Sequence, residues 1–164
     1  GDGKVEAVGV DVAEKDRITA DDDTRLKDMG EAVKQLAIRY GCVVLATGAV
    51  DLVSDGREVY GLCNGTERLA SITGTGCILT CLTAWYLSQV KPLYAAMLAT
   101  SVLNISAQLA EEELMLMARN IPESMKVGIT KAQIGQGSFK TALFDQLSLR
   151  TSKGMGEAVK IKEI

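Results

Sequence analysis

A short run of glycine and threonine that ends in a cysteine contains the residue types best suited to chemistry. The run is Gly74-Thr75-Gly76-Cys77, and it leads directly into an apolar, helix-like segment. Glycine allows a tight backbone turn and a close approach of main-chain N–H groups to a ligand. The first turn of a helix adds N–H groups without an intrahelical acceptor and the positive end of the helix dipole. We therefore predict that the N–H groups of Gly74, Thr75, Gly76 and Cys77 form an anion hole that suits a phosphate.

Cys77 falls in the first turn of the predicted helix, where the same field favours the thiolate form of a cysteine. Phosphoryl transfer to a hydroxyl group needs an anion hole to hold the transferred group and a neighbouring side chain to accept the proton. Cys77 could supply the second part. The alternative is that Cys77 is a small apolar packing residue. The spacing is not that of a Walker loop, because no Lys-Ser/Thr pair follows Gly76.

Composition limits the other classes of function. The chain has 164 residues, 47% hydrophobic and 24% charged, which predicts one globular domain over residues 1–164. A net charge of −3 without a basic run argues against a nucleic-acid partner. The absence of histidine excludes Ser-His and Cys-His catalysis. Four cysteines without paired CxxC spacing or a signal peptide predict reduced thiols in a cytoplasmic protein.

One apolar segment raises the question of a membrane. Residues 92–110 contain no charged side chain and are long enough to span a bilayer. However, polar side chains recur within the segment, and neither an aromatic belt nor a basic flank is present. We predict that this segment and the preceding helix Gly76–Val90 are adjacent helices buried in a soluble α/β layer, and we expect no membrane partner.

The residues before the glycine loop predict an α/β arrangement. Apolar residues at steps of three and four predict an amphipathic helix that begins near Asp21 and ends at Gly41. The apolar run Cys42–Ala46 is typical of a central parallel strand that is buried on both faces. Ligands bind at the carboxyl ends of such strands, so Thr47 is a candidate ligand contact through its hydroxyl group. A threonine that closes a turn is the alternative.

Turn signals predict the remaining elements. Asp55-Gly56 lies between two β-prone runs and predicts a hairpin with a two-residue turn, and Asn64-Gly65 predicts a further turn. The other expected features are a strand within residues 5–12, an exit of the second apolar helix to solvent at Glu111–Glu113, a loop or lid at Met115–Lys131, a last helix that opens at Gly135 with Ser138 as its cap, and an edge strand at residues 159–161.

In this order, the motifs resemble the hydroxyethylthiazole kinase family of the ribokinase-like superfamily over residues 9–149. The resemblance implies a three-layer α/β/α fold with a mostly parallel central sheet, here without its N-terminal portion. The matching pieces are Gly9–Asp11, Thr47–Asp51, Asp55-Gly56, Asn64-Gly65, Ile72–Cys77 and Gly135–Phe139.

The resemblance also implies an activity. It implies ATP-dependent phosphorylation of the hydroxyl group of 4-methyl-5-(2-hydroxyethyl)thiazole in thiamine biosynthesis or salvage, with Mg²⁺ as the metal. Family members are typically trimers with active sites at subunit interfaces. Carried over to this sequence, Cys77 is the catalytic residue, Thr47 contacts ATP and Gly74 contacts the substrate. Many ribokinase-like enzymes have an aspartate at the position of Cys77.

The sequence departs from the family pattern in two ways. The family's acidic Mg²⁺ site, part of its substrate pocket and an ATP-contacting arginine precede the matched region, so the metal ligands stay unassigned. Gln136 also stands where the family commonly has proline, and Met115–Lys131 looks longer than usual. We therefore expect the C-terminal part of an enzyme that forms a homotrimer or assembles with a chain carrying the N-terminal part.

Two other functions stay open. Pyrimidine kinases of thiamine synthesis share the Gly-Thr-Gly-Cys motif, although Ile72-Thr73 and Asn64-Gly65 favour the thiazole branch. The chain could also be a non-catalytic or incomplete subunit that needs a companion chain for activity.

Overall fold

The computed structural model describes residues 23–119, 135–149 and 155–164. The strand predicted within residues 5–12 and most of the predicted loop or lid lie outside these residues. The elements, in chain order, are α1 (Asp23–Tyr40), β1 (Val44–Ala46), β2 (Asp51–Ser54), β3 (Val59–Leu62), α2 (Thr75–Leu87), α3 (Pro92–Arg119), α4 (Gln136–Leu149) and β4 (Ile161–Glu163), with a 3₁₀ helix at Glu67–Ser71 between β3 and α2.

The four strands form one antiparallel sheet in the order β1-β2-β3-β4. The predicted hairpin is confirmed as β2 and β3, but its loop is longer than the two residues expected, because Ser54 pairs with Val59. The Asp55 carboxylate accepts the N–H groups of Arg57 at 2.9 Å and Glu58 at 3.2 Å, which stabilises this wider turn. The predicted edge strand is confirmed as β4, displaced by two residues.

The prediction that β1 is a central parallel strand is wrong for the sheet that the structure describes. β1 pairs with β2 in the antiparallel direction. Only residues 47–50 connect the two strands, whereas a parallel crossover needs about a dozen residues or more. The residues of β1 are also half-buried rather than buried. The molecule is therefore a mixed α/β structure with a small antiparallel sheet.

Helices cover both faces of this sheet. On one face, Leu26 and Val33 of α1 pack against Leu52 and Val59. On the other face, α3 contributes Ala96 to a cluster with β2 and β3. Because successive side chains of a strand point to opposite faces, β2 contributes to both clusters, and all of its residues are buried. The described sheet is thus centred on β2 rather than on β1.

Helix α2 follows the predicted boundaries closely, but the prediction that it is buried is wrong. No residue of α2 falls in the buried class, and Trp85 is 59% exposed. One side of the helix, with Ile78, Leu79 and Leu82, packs against a cluster formed by Ile72, α3 and α4. The prediction failed because the apolar residues lie all around the helix, while the described residues cover one side of it.

Helix α3 is longer than predicted and continues to Arg119, so Met115 begins no loop. The predicted exit to solvent at Glu111–Glu113 is confirmed, since Ala110 is the last buried residue of α3 and Glu112 is exposed. Glu111 and Glu113 are half-buried, because Glu111 binds Arg68 and Glu113 accepts a hydrogen bond from Gln146. Among the described helices, α3 is the one long and apolar enough to cross a membrane. However, 61% of its apolar window is buried inside the protein, as in the core helix of a soluble protein.

Helix α4 begins one residue after Gly135, so Gly135 rather than Ser138 is the residue before the helix. The Phe139 N–H group donates to the Gly135 carbonyl at 3.0 Å and closes the first turn. Gln136 is therefore the first helical residue, a position that proline favours. The glutamine at this site is thus compatible with the same helix start as the family's proline.

Candidate active site

Gly74 gives the glycine loop its shape. It precedes α2 with φ 102° and ψ −2°, a left-handed backbone conformation that residues other than glycine rarely adopt. Its carbonyl accepts the Ile78 N–H group at 3.0 Å and so begins the helix. The N–H groups of Gly74, Thr75, Gly76 and Cys77 consequently have no intrahelical acceptor. Their role as an anion hole stays a prediction, but the helix start that it requires is present.

The outer surface of the loop is open. A Cβ atom built on Gly74 or Gly76 would meet no heavy atom within 4 Å. The Thr75 hydroxyl instead faces the interior, where it donates at 3.3 Å to the Leu69 carbonyl, with the Ile72 carbonyl at 3.4 Å. Thr75 therefore presents its main-chain N–H group, rather than its side chain, to a ligand on the open side.

Cys77 is exposed in the first turn of α2. Cys77 does not pack against the described residues, and both its catalytic role and the alternative of a packing residue stay predictions. Cys81, one helical turn further along, is exposed in the same way. Cys77 lies at the positive end of the helix and Cys81 lies one turn away from it. Substitution of Cys81 is therefore a suitable control for substitution of Cys77.

Thr47 is exposed in the connection between β1 and β2, so its hydroxyl group is accessible to a ligand. The next residue, Gly48, donates its N–H group to Asp51 Oδ1 at 2.9 Å. Within the described ranges, no hydrogen bond joins Thr47 directly to the Gly74–Cys77 loop. Gly48 instead belongs to a buried polar network that extends to Asn64, in the segment before the loop.

Asp51, Asn104 and Asn64 form the centre of this network, which the sequence analysis missed. Asn104 Nδ2 lies 2.6 Å from Asp51 Oδ2 and 2.9 Å from the Asn64 carbonyl oxygen. All three residues are buried. The available signal was the presence of a carboxylate and amides in otherwise apolar elements, since such groups are buried only with partners.

Burial raises the pKa of the Asp51 carboxyl, because desolvation disfavours the charged form. The hydrogen bonds from Asn104 and from the Gly48 N–H group act in the opposite direction and lower it. Desolvation is the larger effect, so Asp51 holds its charge less readily than an exposed aspartate. Its two donors are therefore needed wherever the carboxylate is ionised.

A second polar cluster holds the segment that precedes the glycine loop. Glu111 of α3 accepts hydrogen bonds from Thr66 Oγ1 at 2.5 Å and from Arg68 Nε at 2.7 Å. Burial alone would raise the pKa of Glu111, but these hydrogen bonds and the Arg68 charge outweigh it and hold the pKa below its ordinary value. The hydrogen bonds to Glu111 thereby hold residues 66–68 against α3.

Comparison with known proteins decides the family. Residues 7–152 match the family model described as the hydroxyethylthiazole kinase family. The chain belongs to the hydroxyethylthiazole kinase family. A hydroxyethylthiazole kinase from Ruminiclostridium cellulolyticum is 33% identical over 157 residues, covering 95% of this chain and 49% of that protein. Hydroxyethylthiazole kinase 2 from Methanosphaera stadtmanae is 33% identical over 146 residues, covering 89% of this chain and 45% of that protein.

A solved structure agrees with this assignment. The hydroxyethylthiazole kinase protein from Pyrococcus horikoshii OT3 superposes with a TM-score of 0.68 at 29% sequence identity. The match covers 87% of this chain and 48% of that chain. The chain therefore spans about half the length of the curated relatives and the solved relative that it matches.

The residues that the structure describes do not form a metal site of their own. In residues 23–119, 135–149 and 155–164, no group of three or more histidine, cysteine, aspartate or glutamate side chains could hold a metal ion. Mg²⁺ prefers carboxylate oxygens, its own waters and substrate phosphates. The metal ligands therefore stay unassigned among the described residues.

Proposed function

We propose that the protein containing this chain transfers a phosphoryl group from ATP to the hydroxyl group of 4-methyl-5-(2-hydroxyethyl)thiazole, in thiamine biosynthesis or salvage. Membership of the hydroxyethylthiazole kinase family and the names of the relatives support this reaction. The structural observation that carries the proposal is the open glycine loop at the start of α2, next to an exposed Cys77.

In the proposed reaction, the alcohol oxygen forms a bond to the γ-phosphorus while the bond from that phosphorus to the leaving ADP oxygen breaks. The N–H groups of Gly74, Thr75, Gly76 and Cys77 donate to the phosphoryl oxygens as negative charge develops. Loss of one such donor typically costs about 3–4 kcal/mol of transition-state stabilisation. Gly74 leaves room for the substrate, and the Thr47 hydroxyl contacts ATP.

The Cys77 thiolate accepts the proton that leaves the alcohol. In a loose transition state the alcohol gives up its proton late, so a weak base suffices. This proposal explains why a cysteine can stand where many ribokinase-like enzymes have an aspartate.

We further propose that the protein depends on Mg²⁺ and is cytoplasmic. We propose a three-layer ribokinase-like fold in which residues 1–164 are part of one domain. The assembly that we propose is a homotrimer, or a complex with a chain that carries the remaining half. Exposed apolar side chains at Tyr94 (56%) and Leu98 (41%), which lie one turn apart on α3, support an assembled form.

The test is an ATP-dependent phosphorylation assay of the complete protein, with the thiazole alcohol and hydroxymethylpyrimidine compared as acceptors. We expect a higher kcat/KM for the thiazole alcohol, and a preference for the pyrimidine would overturn the substrate assignment. Cys77→Ala should lower kcat by about 10²–10⁴, the usual effect of losing a general base. The matched control Cys81→Ala should leave kcat within about twofold. Wild-type turnover by Cys77→Ala would contradict its role as the base.

A further inference from the structure

Asn104 lies on the face of α3 that packs on the sheet, and its amide nitrogen contacts two distant parts of the chain. Nδ2 donates to Asp51 Oδ2 at 2.6 Å and to the Asn64 carbonyl at 2.9 Å. Both partners are acceptors, so the amide can have only one orientation; the flipped amide would place its oxygen against two oxygens. The side chain is 5% exposed, so water does not replace these bonds freely.

On the Asp51 side, the hydrogen bonds continue to the loop that contains Thr47. Asp51 Oδ1 accepts the Gly48 N–H group at 2.9 Å, and Asp51 opens strand β2, directly after this loop. The carboxylate thus uses one oxygen for Asn104 and the other for the loop. The position of the Thr47 main chain is therefore set by Asp51, which is itself held by Asn104.

On the Asn64 side, the hydrogen bonds continue toward the glycine loop. Gly65 has a φ of 134°, and a Cβ atom there would lie 3.5 Å from Asn104 Cγ and Nδ2. Asn64 Nδ2 donates to Gln108 Oε1 at 2.9 Å, one helical turn after Asn104. Glu111, on the next turn of the same face, accepts from Thr66. Residues on three successive turns of α3 thus hold residues 64–66, where the segment that leads to Gly74–Cys77 begins.

We propose that Asn104 is a positioning residue that fixes the Thr47 loop relative to the segment leading to the Gly74–Cys77 loop. The inference rests on the proposed function, in which Thr47 contacts ATP and the glycine loop holds the transferred phosphoryl group. Asn104 touches neither ligand and acts through Asp51 and the Asn64 main chain. Phosphoryl transfer depends on alignment, and a displacement of about 1 Å can lower the rate about 10²-fold.

Thr100 provides a matched control on the same helix. It is buried one turn before Asn104, and its hydroxyl donates to the Ala96 carbonyl at 2.8 Å, within α3. Thr100→Val therefore removes a buried polar group from the same region without affecting a bond to either loop. Asn104→Ala removes both inter-segment bonds, and Asn104→Leu does so without leaving a large cavity.

The first measurement is hydrogen–deuterium exchange, followed by mass spectrometry, on the complete protein. We expect exchange in residues 47–50 and in residues 64–77 to be at least about tenfold faster in both Asn104 variants. The Asn64 carbonyl loses its bond directly, and Asp51, which holds the Gly48 N–H group, loses the donor that fixes it. Thr100→Val should leave both segments at the wild-type rate. Wild-type exchange at either segment in a folded Asn104 variant would overturn the proposal.

The second measurement is kinetic. We expect Asn104→Leu to lower kcat/KM for ATP about 10–100-fold with a raised KM for ATP, and Thr100→Val to change it by less than about threefold. If Asn104→Leu and Thr100→Val lowered kcat/KM for ATP equally, at equal stability, Asn104 would have only a structural role and the proposal would be overturned. A wild-type protein without thiazole phosphorylation would overturn the proposed function alone, and the exchange experiment would still decide whether Asn104 holds the two segments.

Discussion

Replacing the two glycines of the loop one at a time separates the backbone strain of the loop from the contact with phosphate that we propose for it. Gly74 has a φ of 102°, whereas Gly76 lies within α2, where no positive φ occurs. A Cβ atom on either residue would meet no heavy atom within 4 Å. The cost of each alanine to the free energy of unfolding therefore comes from the backbone alone.

The two substitutions should change stability in opposite directions. Gly74→Ala forces an L-residue into the left-handed region and should lower the free energy of unfolding by about 1–2 kcal/mol. Gly76→Ala places the best helix former in the first turn of a helix and should raise the free energy by about 0.5–1 kcal/mol. Urea unfolding of the two variants and the wild type measures both changes.

Activity should fall in both variants, because the added methyl group points into the open space where the phosphate would approach the main-chain N–H groups. We expect Gly76→Ala to be more stable than the wild type and yet to lose at least about tenfold in kcat/KM, which corresponds to about 1.4 kcal/mol of transition-state binding. A more stable Gly76→Ala variant with full activity would refute the anion hole. A Gly74→Ala variant as stable as the wild type would refute the argument from its positive φ.

Three further predictions concern buried and charged groups. Ser106 Oγ is buried without a hydrogen-bond partner among the described residues, so Ser106→Ala should raise the free energy of unfolding by about 1 kcal/mol; a loss in urea unfolding would contradict this. The folded-state pKa of Glu111 lies below 4.5, so its stabilising effect is present above pH 4.5 and lost as the pH falls through the folded pKa. Glu111→Gln should therefore cost about 1–2 kcal/mol at pH 7 and progressively less below pH 4.5, as measured by unfolding across pH; a loss independent of pH would contradict the pairing with Arg68. The pKa of Asp51 is raised above 3.8, so its effect on stability depends on pH in the opposite direction to that of Glu111. The contribution of Asp51 to the free energy of unfolding is complete below pH 3.8 and decreases as the pH rises through the folded pKa. The wild type should therefore lose free energy of unfolding relative to Asp51→Asn over that window, and a gain would show that the hydrogen bonds to the carboxylate outweigh its burial.

Local signals in the sequence were sufficient for several elements. The apolar stripe predicts α1, which is confirmed. Leu26, Val33 and Ala37 of this stripe are buried, whereas Met29, Leu36 and Tyr40 are exposed. The turn residues predict the β2–β3 hairpin, and the two glycines predict the start of α2. These features depend on residues close together in the chain, through helical periodicity and backbone conformation.

Features that depend on distant residues could not be predicted in the same way. The apolar run before Thr47 indicates burial but does not reveal whether the neighbouring strand is parallel, which the short connection to Asp51 decides. The composition of α2 likewise gives no information about which side is covered. The bond between Asn104 and Asp51 spans 53 positions, so no local pattern contains it. The polar network was missed for this reason, although Asn104 was visible as a polar residue in an apolar stretch.

The side chain of Asn64 also joins residues 155–164 to the polar network by hydrogen bonds. Its Nδ2 donates to the Ala158 carbonyl at 3.1 Å, and its Oδ1 accepts the Lys160 N–H group at 2.7 Å. Ile164, a few residues later, fills the space beside Gly61, where a Cβ atom would lie 2.8 Å from Ile164 Cδ1. Residues 158–164 therefore hold the Asn64 side chain and complete the edge of the sheet beside β3. A deletion in these residues, far from the glycine loop in sequence, would free Asn64, whose carbonyl is one of the two acceptors of Asn104.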